Sequence, residues 1–312
     1  MSSSESELPS PEHGGNVVGY LVVGHGTRSK AGQDQVRAVF DQMTQLDTPD
    51  SLGGLPAELA FLELAQPDIP TAIERLFHAG VKELVVVPVL LFSAGHARQD
   101  IPEAVEAAAK QFGIQIRRQC SSLCLDPSIV NLSAERFHLA LERHAGIAPA
   151  SNLIAEEIGL ALIGRGSSSD EATAAMLQFA ELRTQATPVA WSSVGFIHAQ
   201  RPTVEEALDG LAATGLPWLV VQPHLLFEGE LIDELRREVE YRQSFSKSQT
   251  WLITETLGSG IDSADIEHSD NRLAVALSKL ATQVTDSAGL SRVATEACSR
   301  CHQARQWCRI GA

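Results

Sequence analysis

The sequence predicts an α/β protein made of two similar units, each a parallel sheet flanked by helices, with a cleft between them. Three observations predict it. Short apolar runs alternate with amphipathic stretches of helical period, the pattern of strands joined by crossover helices. The alternation breaks at "HAGIAPASN" (144–152) and then restarts. Three segments also return in order. "VVGHGTRS" (22–29) reappears as "LIGRGSSS" (162–169), an offset of 140. "FLELAQPDI" (61–69) reappears loosely as "FIHAQRPTV" (196–204), an offset of 135. "VVVPVLLFSAG" (85–95) reappears as "LVVQPHLLFEG" (219–229), with Pro88 against Pro223. Ordered matches at a near-constant offset point to duplication.

In chain order, the first unit reads as strand 17–23, helix 30–45, strand 57–62, helix 69–79, strand 83–88, helix 98–112, strand 114–118 and helix 127–143. Pro70 and Pro102 fall where the first turn of a helix tolerates proline. Gly80 and Gly113 follow two helices as C-caps. The second unit repeats the order with strands near 158–163, 189–196, 217–222 and 250–256. Its helices lie near 169–184, 202–213, 230–242 and 271–284.

The 312 residues suffice for two domains, and the 44% apolar content supports a sizeable core. The expected division is a disordered leader (1–15), a first domain (16–148), a degenerate repeat domain (149–288) and a cysteine-containing tail (289–312). The leader, "MSSSESELPSPEHGG", lacks a basic start and an apolar core, so it is not a signal peptide. No apolar run approaches the roughly 20 residues of a membrane span. The expected compartment is the cytoplasm. A net charge of −15 argues against general nucleic-acid binding and against attraction to anionic membranes. An acidic substrate would need a local basic pocket.

Two apolar runs end in Gly-His: Gly24-His25 and Gly95-His96. Parallel sheets bind ligands beyond the carboxyl ends of their strands, so both imidazoles are expected in turns on one rim. Glu63, closing the strand of "AELAFLEL", is expected on the same rim. The repeat lacks this set: Arg165 stands for His25, His198 roughly for Glu63, and Glu230 falls near the His96 position. Two imidazoles and a carboxylate suit a borderline divalent ion such as Co²⁺, Fe²⁺, Ni²⁺ or Zn²⁺, with open coordination positions. "GHGTRS" is not a dinucleotide fingerprint, which wants G-x-G-x-x-G. His198 and His224 are expected to pack or to hydrogen-bond.

"LVVGHGTRSKAGQDQ", "FLELAQPDIPTAIERL" and "VVVPVLLFSAGHARQDIPEAV" resemble the sirohydrochlorin chelatase family of CbiX-type cobaltochelatases and their ferrochelatase relatives. The resemblance is strong over about residues 17–143. Residues 158–285 resemble, more weakly, the second repeat of the long members. It implies a single chain acting as an internal pseudo-dimer, a monomer with its site in the cleft. It implies insertion of Co²⁺ first, or else Fe²⁺, into sirohydrochlorin on the way to cobalamin or sirohaem, with no energy cofactor. On this resemblance His25 and His96 bind the metal and act in catalysis, with Glu63 as proton acceptor or third ligand. Arg28, Lys30 and Arg98 beside the histidine turns would then meet the substrate carboxylates.

The chain ends "ACSRCHQARQWCRIGA". Cys298-x-x-Cys301-His302 matches a c-type haem attachment pattern, which needs export that no signal provides. Cys298, Cys301 and Cys308, with His302, could instead hold zinc or an iron–sulfur cluster. Cys120 and Cys124 read as structural.

Overall fold

The computed structural model describes residues 17–92, 96–145, 155–260 and 271–282, apart from the side chains of 96–98 and 144–145. The leader and the cysteines of the tail lie outside the described residues.

The first sheet is parallel and contains β1 (Val18–Gly24), β2 (Ala57–Phe61), β3 (Glu83–Pro88) and β4 (Gln115–Gln119), in the order β2-β1-β3-β4. The second contains β5 (Ile158–Gly164), β6 (Trp191–Phe196), β7 (Trp218–His224) and β8 (Thr250–Ile253), in the equivalent order β6-β5-β7-β8. β5 is buried at every position, which is why its sequence is continuously apolar rather than alternating.

The connecting helices are α1 (Lys30–Gln45), α2 (Ile69–His78), α3 (His96–Phe112) and α4 (Pro127–Ala145) in the first half. Those of the second are α5 (Asp170–Ala186), α6 (Val204–Ala213), α7 (Glu230–Phe245) and α8 (Arg272–Thr282). Their caps repeat as their sequences do. Ser29 accepts from the Gly32 amide and Ser169 from the Ala172 amide. Asp68 caps α2, and Thr203 caps α6 in a capping box with Glu206. Gly80 and Gly113 take the left-handed conformation expected of them (φ +85° and +66°).

Pro102 departs from expectation. α3 starts at His96, so the proline lies inside the helix rather than in its first turn. Its missing N–H costs one helical hydrogen bond. Ile101 and Val105, both buried in the core, hold the helix through that position.

Apolar side chains gather in three cores. The outer face of the first sheet packs against α2 and α3 through residues such as Val86, Ile73 and Val105. The outer face of the second packs against α6 and α7 through Val221, Leu208 and Leu235. The third core is shared between the halves, joining Val22, Val39 and Phe137 to Leu162, Phe179 and Leu277.

The shared core has a reciprocal layout. α4, the last helix of the first half, packs against α5, β7 and β8; α8, the last helix of the second half, packs against α1 and β3. Polar contacts follow the exchange. Arg118 at β4 donates to the Leu280 carbonyl at 3.0 Å, and the Cys120 thiol donates to the same carbonyl at 3.2 Å. Arg136 of α4 donates to the Leu257 carbonyl at 3.1 Å, and Arg143 pairs with Glu255. Among the described residues no helix is long and apolar enough to cross a membrane.

Candidate metal centre at the strand ends

In this strand order the chain leaves β1 and β3 in opposite directions. The crevice between their carboxyl ends is the switch point at which open parallel sheets bind ligands. His25 directly follows β1, and His96 follows the connection from β3. His96 is the first residue of α3, not part of a turn as expected, because the helix starts earlier than its strongest apolar period suggests. The side chains of His96 and Arg98 lie outside the described residues.

β2 ends at Phe61, so Glu63 stands in a turn beyond the strand. Two further backbone bonds tie that turn to the His25 turn: Leu62 N–H to Gly24 O at 2.9 Å, and Glu63 N–H to His25 O at 3.0 Å. Gly26 makes this approach feasible. Its φ is +96°, and a Cβ there would meet the Glu63 carbonyl oxygen at 1.7 Å. Gln33 pins the other side of the turn by donating to the Thr27 carbonyl at 2.8 Å.

This scaffold brings His25 Nδ1 to 3.4 Å from Glu63 Oε1. The contact is electrostatic rather than a well-formed hydrogen bond, since Nδ1 has no hydrogen-bond partner. Nδ1 is shielded from solvent, although the side chain as a whole is 36% exposed. The open side of the ring therefore belongs to Nε2, and a proton held on Nδ1 by Glu63 would leave the Nε2 lone pair outward. Among the described residues no three His, Cys, Asp or Glu side chains form a metal-binding group. The part of the expected set within the described residues is the His25–Glu63 pair.

The cations expected beside the pair differ from each other. Lys30 is exposed, and its ammonium lies 2.8 Å from both Asp34 carboxylate oxygens, one helical turn on. Its charge is largely engaged there. Arg28 is exposed, with no acidic partner among the described residues. Cys120 and Cys124 are buried thiols without a disulfide, as a structural role implies, and burial pushes the Cys120 thiol pKa up.

The second half repeats the turn with other side chains. His198 N–H donates to Arg165 O at 2.9 Å, Gly166 has φ +82°, and a Cβ on Gly166 would meet the His198 carbonyl oxygen at 1.8 Å. Arg165 and His198 thus occupy the backbone positions of His25 and Glu63.

The two rims meet. Glu228, beyond β7, donates its backbone N–H to Gln35 of α1 at 2.8 Å. A Cβ on Gly32 would lie 2.8 Å from the Glu228 carbonyl oxygen. Arg236 holds the Glu228 carboxylate with two bonds, at 2.7 and 3.0 Å. The sequence offers no signal for this seam, since Gln35 and Glu228 are 193 residues apart. His224, at the end of β7, packs as expected but makes no hydrogen bond. Its ring stacks on Phe179 at 3.7 Å and meets the edge of Phe92 at 5.5 Å, and both ring nitrogens are buried without partners. Burial pushes its pKa down to about 3, so the ring is neutral.

Two equivalent α/β units fused through a shared core, with a His–Glu pair on the strand-end rim of one of them, define a two-repeat chelatase-like protein. The chain belongs to the CbiX family, whose model matches residues 19–140 and 159–273. A sirohydrochlorin ferrochelatase of Priestia megaterium is 29% identical over 240 residues, 76% of this chain and 83% of that protein. A sirohydrochlorin cobaltochelatase of the same organism is 24% identical over 220 residues, 70% and 68% of the two chains. The structure of SirB from Bacillus subtilis with Fe³⁺ superposes with a TM-score of 0.67 at 26% identity, covering 85% of this chain and 96% of that one.

Proposed function

We propose that this chain is a sirohydrochlorin chelatase, inserting a divalent metal into the tetrapyrrole with His25, Glu63 and His96 as its working residues. The observation that carries the reading is the His25–Glu63 pair, held 3.4 Å apart at the carboxyl ends of β1 and β2, beside the switch point. The metal is a substrate here, so its ligands must also release it. Imidazole with open coordination positions suits that better than thiolate.

Insertion breaks two N–H bonds of the macrocycle and releases two protons as the metal binds its four ring nitrogens. His25 presents Nε2 to the incoming ion or to a departing proton, while Glu63 balances charge at Nδ1 and accepts the proton passed through the ring. His96, across the switch point, completes the set. Arg28 and Arg98 answer substrate carboxylates, and Lys30 contributes less because Asp34 engages it.

The long, two-repeat form and the cysteine tail lean towards cobalt, but the relatives are named for both ions, and the two that match at 29% identity over 240 and 221 residues are named ferrochelatases. An imidazole–carboxylate set accepts either ion. We therefore extend the proposal to Co²⁺ and Fe²⁺ as substrates.

The test is anaerobic insertion kinetics, following tetrapyrrole absorbance with Co²⁺, Fe²⁺ and Ni²⁺ for the wild type, His25→Ala and His96→Ala. Rates well above the spontaneous one, falling by about 10²–10⁴ in either variant, are expected. Tight binding of metal or tetrapyrrole with no gain over the spontaneous rate would replace the enzyme with a carrier.

A further inference from the structure

The duplicated turn retains its backbone but has changed its chemistry. Gly26 and Gly166 share their positive φ and their close approach to a carbonyl oxygen. The bonds from Glu63 to His25 and from His198 to Arg165 have the same donor and acceptor positions. Where the first half sets an imidazole beside a carboxylate, the second carries a guanidinium and an imidazole at the same backbone positions. The first pair attracts cations. The second repels them and offers hydrogen-bond donors to an anion.

Arg165, like Arg28 on the other rim, is an exposed arginine without an acidic partner among the described residues. Among the described residues most exposed arginines lie against an acid, as Arg75 does against Glu58, Arg117 against Glu83 and Arg201 against Glu206. Arg165 and His198 are both exposed, and neither has an acidic partner among the described residues. In a protein of net charge −15, an unneutralised cation on a rim is a local exception to the overall field. The rim it stands on meets the metal-binding rim, through Glu228 on Gln35 and His224 on Phe92.

We propose that Arg165 and His198 form an anion subsite that binds carboxylate side chains of the tetrapyrrole and orients the macrocycle toward the His25–Glu63 rim. The inference rests on the chelatase reading. In this view the second repeat lost metal ligands and gained substrate recognition at the same backbone positions. The asymmetry also gives the macrocycle a direction: one rim takes the ion, and the other holds the acidic periphery.

The test is titration of metal-free sirohydrochlorin into the wild type, Arg165→Ala, Arg165→Lys and His198→Gln at several salt concentrations. Arg165→Ala should bind about tenfold or more weakly, the loss of one charge-assisted pair. Its affinity should also fall less steeply with salt than that of the wild type, and Arg165→Lys should recover part of the loss. In turnover, KM should rise by more than kcat falls. Unchanged affinity and an unchanged salt slope in both Arg165→Ala and His198→Gln would overturn the subsite. Because binding is read without metal, a wild type that binds but never turns over would sink the chelatase reading alone.

Discussion

Gly26 and the Glu63 carbonyl oxygen meet so closely that a Cβ on Gly26 would come within 1.7 Å of that oxygen. This approach, more than any side-chain bond, fixes where Glu63 stands relative to His25. Gly26→Ala adds a methyl at φ +96° against the backbone of the neighbouring turn. It should cost about 2–3 kcal/mol of stability and should move Glu63 away from His25. Urea unfolding and insertion rate, measured together, should both show the loss. A variant with wild-type rate and stability would mean that the two turns are not coupled in this way.

Glu63 is 54% exposed, so its contribution is to charge and orientation rather than to folding. Glu63→Gln keeps the shape and removes the charge. The insertion rate should fall about 100-fold, and Co²⁺ affinity should weaken by about 10-fold or more. Thermal unfolding should hardly change. A fall in stability matching the fall in rate would assign Glu63 a structural role instead.

His224 makes stability depend on pH. Its ordinary pKa of 6.5 is pushed to about 3 by burial. Below pH 6.5 the unfolded chain takes up a proton that the folded ring refuses. The stability owed to the neutral ring is thus complete above that pH and declines as pH falls towards 3. Between pH 7 and pH 5 the wild type should lose about 2 kcal/mol more than His224→Phe. Urea midpoints at the two pH values give the comparison, and parallel losses would contradict it.

The exchanged helices bear on the boundary proposed between residues 148 and 149. A fragment of residues 16–148 keeps α4 but lacks the second-half surfaces on which α4 packs. It should form a homodimer in which each α4 covers the other copy's sheet. Sedimentation of the fragment would reveal a stable monomer if α4 instead folds back on its own unit.

Much of this fold was legible because its elements announce themselves locally. The run "IGLALIG" reads as a strand buried on both faces, and Gly80 and Gly113 mark helix ends by their own chemistry. The pairing of His25 with Glu63 followed from strand-end topology. Long-range relationships were not legible. Nothing near Gln35 signals Glu228, and nothing in the helical period of α4 says which sheet it will cover. Pro102 misled in a different way, because a rule for isolated helices gave way to the burial of Ile101 and Val105.

The reciprocal placement of α4 and α8 has a consequence for synthesis. Arg118 and Cys120 wait for a carbonyl on a helix some 160 residues later in the chain. As the polypeptide leaves the ribosome, the first sheet is complete long before the helix that seals its inner face exists. α1 covers the β1 and β2 side of that face early, but the β3 side stays open until α8 has emerged. The order of manufacture, as well as the finished core, therefore bears on how this protein reaches its fold.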